Sequence, residues 1–265
     1  MVNNYIFKII SISIVLKDFC LTGIWEKYQV TEDIEGDIDI NVLSDSDDIH
    51  GLYIYKINKK YTNVVRRKGD IMLVDSKWER AVLFPFFEIE NCYNFLAQIF
   101  YSQAVKRQII QFHSSLIDYQ GNGLMFLGPS GIGKTTQAEL WNQYRDALII
   151  NGDVVFVQET PDAFLGWGTP WHGSSPYCEN TSVPVKALVV LKQAPENSIR
   201  ELTGFEKVTA VSNNVFYPRW LEDGMELCLE TLNHLLSALP VYELSCRPDE
   251  EAVRLTEEAV FGGRA

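Results

Sequence analysis

The sequence predicts an α/β protein with a small β-rich N-terminal domain over residues 1–88 and a larger α/β domain over residues 89–265. Three observations carry this reading. Short apolar runs separated by polar turn material fill the first 88 residues. Helix-period and strand-like segments alternate after Pro85. A glycine-rich turn then stands between an apolar strand-like run and an amphipathic helix-like one.

The strand-like runs of the first part cover residues 5–16, 51–57, 71–74 and 80–84. Between Thr31 and His50 lie the carboxylates Glu32, Asp33, Glu35, Asp37, Asp39, Asp45, Asp47 and Asp48, and the sign reverses with Lys59, Lys60, Arg66, Arg67 and Lys68. Such runs read first as solvated loops and hairpin faces, with a docking surface as the second reading. Pro85 marks the domain boundary. After it, residues 90–106 read as a helix with Tyr93, Leu96, Ile99 and Phe100 on one face. Strand 108–117 leads through the turn Tyr119-Gln120-Gly121-Asn122-Gly123 to strand 124–127, the glycine-rich turn and a helix over 134–144. Strands follow over 147–150, 154–157, 163–167 and 186–192, then a helix over 220–239 and a strand over 241–245. The last helix, 249–260, has Pro248 at its start and Asp249, Glu250 and Glu251 in its first turn.

Composition excludes several classes. A length of 265 residues with 46% hydrophobic and 22% charged content belongs to an ordinary globular protein. A formal charge of −12 argues against nucleic-acid binding, which depends on Lys and Arg neutralising phosphates. Cys20, Cys92, Cys178, Cys228 and Cys246 contain no C-x-x-C pair, so they read as reduced thiols of a cytoplasmic protein. The apolar run 5–16 carries Lys8 in its middle, has no small-residue cleavage site and is shorter than the ~20 residues that span a bilayer. A strand is expected there, and no membrane association.

The segment that carries chemistry is Gly128-Pro129-Ser130-Gly131-Ile132-Gly133-Lys134-Thr135, followed by Thr136, a full match to G-x-x-x-x-G-K-[ST]. The glycines let successive backbone N–H groups converge on phosphate oxygens, and the helix that follows adds the positive end of its dipole. Lys134 then suits the β- and γ-phosphates and the Thr135 hydroxyl suits Mg²⁺. Residues 128–136 are therefore the expected nucleotide-binding set. Asp153 stands about 20 residues beyond Lys134, at the end of the next apolar strand. From there a carboxylate can reach the metal held by Thr135, although Asn151-Gly152-Asp153 also reads as a plain turn.

His113-Ser114-Ser115-Leu116-Ile117-Asp118-Tyr119-Gln120-Gly121, together with Gly123-Leu124 and the 128–135 loop, resembles the catalytic domain of HPr kinase/phosphorylase. The resemblance covers residues 111–157, loosens towards the C-terminus and is absent before Pro85. It implies a P-loop kinase core shared with phosphoenolpyruvate carboxykinase, ATP and Mg²⁺ as cofactors, and an oligomer. Carried over, it gives Lys134 the phosphates, Thr135 and Asp153 the metal, and His113 a place beside the reacting groups, making His113, Lys134 and Asp153 the candidate catalytic set. Asp153 matches the second acid of the family's Asp-Asp pair. Gly152 stands where the first acid, the base near the acceptor hydroxyl, belongs.

His113 is either a structural strand histidine or the replacement base. The loop Gly166-Trp167-Gly168-Thr169-Pro170-Trp171-His172-Gly173-Ser174-Ser175 takes the place of the family's later signature. It reads either as a substrate-covering loop, with His172 a further acid or base, or as a structural loop anchored by its tryptophans. Arg219 and Arg247 are clamp candidates that singly read as surface ion pairs. The expected activity is ATP-dependent transfer of the γ-phosphoryl group to a hydroxyl, a serine above all, on a small protein, peptide or metabolite. A nucleotide-binding regulatory module without transfer is the alternative, motivated by Gly152. Neither an N-K-x-D guanine signature nor an L-S-G-G-Q segment occurs.

Overall fold

The computed structural model describes residues 3–32, 34–43, 60–84 and 88–262. The expected strand 51–57, the boundary at Pro85 and the charges Asp33, Asp45, Asp47, Asp48 and Lys59 lie outside the described residues. The chain is mixed α/β with two sheets, and its N-terminal region is β-rich. It divides into two compact units, Met1–Ala104 and Val105–Ala265.

In the first unit, β1 (Asn4–Ile9), β2 (Ile12–Lys17), β3 (Gln29–Val30), β4 (Ile38–Val42), β5 (Tyr61–Arg67), β6 (Asp70–Asp75) and β7 (Arg80–Leu83) form one sheet, ordered β3-β1-β2-β4-β7-β6-β5. The run expected as a single strand over 5–16 is a hairpin, with Ile9 paired to Ile12 and Ile10 at φ 58° in the turn. Phe7, Ile9, Ile12, Ile14 and Leu16 are all fully buried, so the apolar pattern continues across the turn. Neither Gly nor Pro marks the reversal. Strands β4 and β5 fell inside the two charged stretches. Among the described residues β5 ends the sheet, and it carries Arg66 and Arg67.

Helix α1 (Ile89–Ala104) buries Phe95, Leu96, Ile99 and Phe100 and belongs with this unit. Tyr93 stacks on Trp25 with centroids 5.8 Å apart, and the Asn91 amide donates to Asp70 at 2.7 Å in the interior. The two units divide after this helix, at Ala104, whereas the boundary expected at residue 88 lies before it.

The second unit is built on β8 (Ile109–Tyr119), β9 (Asn122–Leu127), β10 (Leu148–Asn151), β11 (Val154–Glu159), β12 (Phe164–Trp167), β13 (Ser182–Gln193), β14 (Ser198–Leu202), β15 (Val215–Phe216) and β16 (Val241–Cys246). β9, β13 and β16 run parallel, and β8 lies antiparallel beside β9 on one flank and β11 on the other. Helices α2 (Lys134–Arg145) and α5 (Glu250–Phe261) cover one face. Trp141, Phe126, Val189, Leu244 and Val253 form the core beneath them. Glu257 on α5 ties the two helices together by accepting from Arg145 at 2.7 Å and from the Tyr119 hydroxyl at 2.8 Å.

Helix α3 (Gly204–Ser212) was not expected, and α4 (Gly224–Ala238) starts four residues later than expected. Turns at Pro218 and Leu221, whose carbonyls accept from the Leu221 and Gly224 amides, occupy the expected start of α4. Asp249 caps α5 as its sequence suggests, its side chain accepting from the Ala252 amide at 3.3 Å.

Candidate active site at the glycine-rich turn

Two strand registers bring the candidate residues together. Ser114 of β8 pairs with Leu127, the last residue of β9, so His113 lies level with Gly128. On the other flank His113 pairs with Val154, the residue after Asp153, and the Ser114 amide donates to the Asp153 carbonyl at 3.0 Å. Residues 40 positions apart in sequence thus meet at the carboxyl ends of the parallel strands, where ligands bind in open α/β sheets.

The turn between β9 and α2 has the backbone that phosphate binding requires. Gly128, Gly131 and Gly133 stand at φ 147°, 78° and 114°, values a side chain would strain. A Cβ on Gly131 or Gly133 would meet nothing within 4 Å, so both face open space. Ser115 fixes the start of the helix, its buried hydroxyl donating to the Lys134 carbonyl at 2.9 Å. Lys134 is only 6% exposed, with its ammonium turned inward. It donates to the carbonyls of Gly128 at 3.2 Å and Pro129 at 3.4 Å, and lies 3.0 Å from His113 Nε2.

His113 Nε2 is also 3.0 Å from Asp153 Oδ1. In any one tautomer that nitrogen either donates to Asp153 or accepts from Lys134. Burial depresses both bases: the His113 ring is held below its ordinary value by desolvation and by the Lys134 charge, against the pull of Asp153. Lys134 is lowered by burial, which Asp153 opposes. Titration of His113 by NMR checks this balance. In Lys134→Ala its midpoint should rise, because a repelling cation is gone, and in Asp153→Asn it should fall, because an attracting anion is gone. Equal midpoints in all three proteins would mean that the triad is not formed.

Thr135 Oγ1 donates to the Gly152 carbonyl at 3.0 Å, which places this hydroxyl beside the backbone that carries Asp153. Asn151 shapes that turn. Its Oδ1 accepts from the Asp153 and Val154 amides, both at 3.0 Å, while its Nδ2 donates to the Thr169 and Trp171 carbonyls at 3.3 and 3.1 Å. The turn reading and the placement of Asp153 are therefore one structure: the asparagine makes the turn that presents the acid. Among the described residues no cluster of three or more His, Cys, Asp or Glu could hold a metal on its own. Asp153 and Thr135 offer a carboxylate and a hydroxyl, a partial oxygen shell of the kind Mg²⁺ accepts when phosphates and waters complete it.

The loop from Trp167 to Ser175 lies over this turn. A Cβ on Gly173 would come within 1.9 Å of Asp153 Oδ2, so only glycine allows the loop to approach the carboxylate so closely. A Cβ on Gly152 would lie 1.8 Å from Ser175 Oγ and 2.5 Å from its Cβ. Ser175 thus fills the space that a side chain at position 152 would need. His172 Nδ1 is hydrogen-bonded to the Ser175 carbonyl, which commits one ring nitrogen to the loop's own fold. Arg247 pairs with Asp249 at 3.1 Å and Glu251 at 3.4 Å on the surface, as the simpler reading expects. Arg219 is exposed and away from the triad's hydrogen bonds.

Two cavities flank the glycine-rich turn. One, of 180 Å³, lies between Gly131, Gly133 and Gln137 on one side and Leu191, Gln193 and Cys246 on the other. The second, of 380 Å³, is lined by His113, Gly128, Pro129, Val190, Ala210 and Asn213. Ser115, Asn151, Ser175 and the Asn213-Asn214 pair are the residues that sequence reasoning gave no role. Asn151 alone carried a signal, as the first residue of an Asn-Gly turn.

Fold and site together define a mixed α/β protein with a glycine-rich strand–turn–helix whose lysine meets a His–Asp pair. Residues 88–246, more than half the chain, match the family described as SynChlorMet cassette protein ScmC, and the chain belongs to that family. No curated protein matches it in sequence. Among solved structures it is similar to the Hpr(Ser) kinase/phosphatase from Coxiella burnetii, with 9% identity and a TM-score of 0.36 over 56% of this chain and 95% of that one. A likeness of that size is distant and carries no functional argument. Among the described residues no helix is long and apolar enough to cross a membrane.

Proposed function

We propose that the protein is an ATP-dependent kinase that transfers the γ-phosphoryl group to an alcohol, on a P-loop core of the HPr kinase type. The observation that carries this reading is the convergence of Lys134, His113 and Asp153, each 3.0 Å from the next, at the mouth of a loop with three positive-φ glycines. ATP would supply the phosphoryl group, and Mg²⁺ would neutralise its oxygens.

The protein's own residues would divide the work. Backbone amides of residues 130–134 and the α2 N-terminus hold the phosphates. Lys134 leaves its inward carbonyl partners and carries its charge to the β- and γ-phosphates. His113 Nε2 then has Asp153 as its remaining partner. Thr135 and Asp153 would hold Mg²⁺, which would supply charge to the phosphate oxygens. The acceptor oxygen bonds to the γ-phosphorus while the bond to the bridging oxygen breaks, its electron pair leaving on ADP. The acceptor proton passes to Nδ1 of His113, the ring nitrogen that holds a lone pair while Nε2–H donates to Asp153, and burial, by lowering the ring's pKa, favours the neutral form that can accept it. Transfer of this kind depends on positioning and charge more than on a strong base, so Gly152 does not rule it out.

The reading is tested by incubating the protein with Mg²⁺, γ-labelled ATP and mixed peptides, HPr and a metabolite extract. Label on an alcohol acceptor, lost in Asp153→Asn, supports a kinase. Bound ATP with no label transferred favours the second reading, a nucleotide-binding regulatory module, which the packing of Ser175 into the space of the first acid also supports.

The nucleoside is assigned to the 180 Å³ cavity, next to the α2 N-terminus at the ends of β13 and β16. Cys246 lines it, half-buried, its sulfur accepting from the Gln137 amide at 3.4 Å. Saturating Mg-ATP should therefore protect Cys246 from alkylation by at least tenfold in rate while exposed Cys20 reacts unchanged, read by peptide mass spectrometry. Unprotected Cys246 would place the nucleoside elsewhere.

A further inference from the structure

The two cavities lie on opposite faces of one strand. Successive residues of β13 alternate: Leu191 and Gln193 line the 180 Å³ cavity on the α2 side, and Val190 lines the 380 Å³ cavity on the other. The glycine-rich turn spans both, with Gly131 and Gly133 in the first and Gly128 and Pro129 in the second. In-line phosphoryl transfer needs the donor and acceptor oxygens on opposite sides of the phosphorus. A turn that cradles the phosphates between two cavities has that geometry built in, and His113 stands in the cavity away from the nucleoside.

The lining of this second cavity is uncharged. Val190 and Ala210 supply apolar surface, and Asn213 and Asn214 supply amides at the C-terminal end of α3. Asn214 is anchored: its carbonyl accepts from the His113 amide at 2.8 Å and its Nδ2 donates to Ala210 at 2.9 Å. Among the described residues no Lys, Arg, Asp or Glu lines the cavity. Lys134, which contacts His113 and the Gly128 carbonyl of the lining, is assigned to the phosphates and Mg²⁺ to the phosphates and Asp153, and the polyanionic nucleotide outweighs both cations, so the local field stays negative. An anionic ligand would be repelled there. Phe216, 44% exposed with its ring centroid 6.2 Å from that of His113, adds an apolar edge.

We infer that the 380 Å³ cavity between His113, the Gly128–Pro129 backbone and the end of α3 is the acceptor site, and that it takes an alcohol on an uncharged carrier. This rests on the kinase reading for its role in transfer. As a binding site it stands on its own geometry. The volume is in the range of small-molecule sites and exceeds what one serine side chain fills, so a capped serine peptide and a free polyol are both candidate carriers.

The test loads the protein with Mg²⁺ and a non-hydrolysable ATP analogue. It then titrates in a capped neutral serine hexapeptide, the same peptide with aspartates flanking the serine, glycerol and glycerol phosphate, following the Ala210 methyl and His113 ring signals by NMR. Saturable shifts are expected with the peptide or with glycerol, whichever is the carrier, and at least tenfold weaker binding of its anionic counterpart. Ala210→Trp, and Asn213→Trp at an exposed position where folding is safe, should each weaken the neutral ligand at least tenfold and leave the analogue's affinity unchanged. Anionic ligands that bind as well, an absence of shifts at both residues, or tryptophan variants that bind like the parent would overturn the assignment. Binding here without transfer of label from ATP would keep the site and sink the kinase reading. Transfer that both tryptophan variants leave intact would do the reverse.

Discussion

Lys134→Ala is expected to lower ATP-dependent phosphoryl transfer by about 10²–10³-fold, the usual loss when a preorganised charge is removed from a developing anion. The effect should be large because the residue has two tasks. In the free protein its buried ammonium satisfies the Gly128 and Pro129 carbonyls and restrains His113. In the loaded protein the same charge meets the phosphates. Removing it takes the lysine donor from the Gly128 carbonyl, while the Pro129 carbonyl keeps the Ile132 amide at 3.2 Å, and leaves the phosphates without their cation. Thermal melting separates these tasks. The variant should remain folded, since the core under α2 rests on Trp141 and Ala138, yet Mg-ATP should no longer raise its Tm. A variant that transfers label at the parental rate would remove Lys134 from the site.

Gly152→Asp, which restores the acid that the resemblance calls for, should destabilise the protein by about 1–3 kcal/mol, as overpacking does. The added Cβ would sit 1.8 Å from Ser175 Oγ. Ser175 is itself buried and is held by its amide bond to the His172 carbonyl at 3.1 Å. Relief requires shrinking that neighbour. Gly152→Asp combined with Ser175→Gly should regain most of the lost stability in urea unfolding, a coupling that two independent sites would not show. If Gly152→Asp alone is as stable as the parent, the close approach is not present in solution.

The site was more legible in the sequence than the fold around it. The motif 128–135 dictates its own backbone, because glycines at fixed offsets and a lysine opening a helix are demands of local geometry. Asp153 was legible through its spacing from Lys134, and His113 through its place on the strand before the turn. What joins them is the pairing of β8 with both β9 and β11, a register that no local pattern encodes. Helix α3 escaped because its nine residues carry Phe205 and Val208 on exposed positions, against the usual apolar-inward period. The β1–β2 turn escaped because Ile10 takes a positive φ that is normally left to glycine or asparagine. Ser175 could not have been linked to Gly152 from sequence, since their contact depends on how the 167–175 loop folds back over the turn.

The central claim, that residues 128–135 with Asp153 form a site for a Mg²⁺-bound nucleotide, is tested most directly by calorimetric titration of ATP into the protein with and without Mg²⁺, alongside Lys134→Ala. Saturable binding is expected that Mg²⁺ strengthens at least tenfold and that the alanine variant loses. No heat from the folded parent protein, or equal binding by Lys134→Ala, would contradict it.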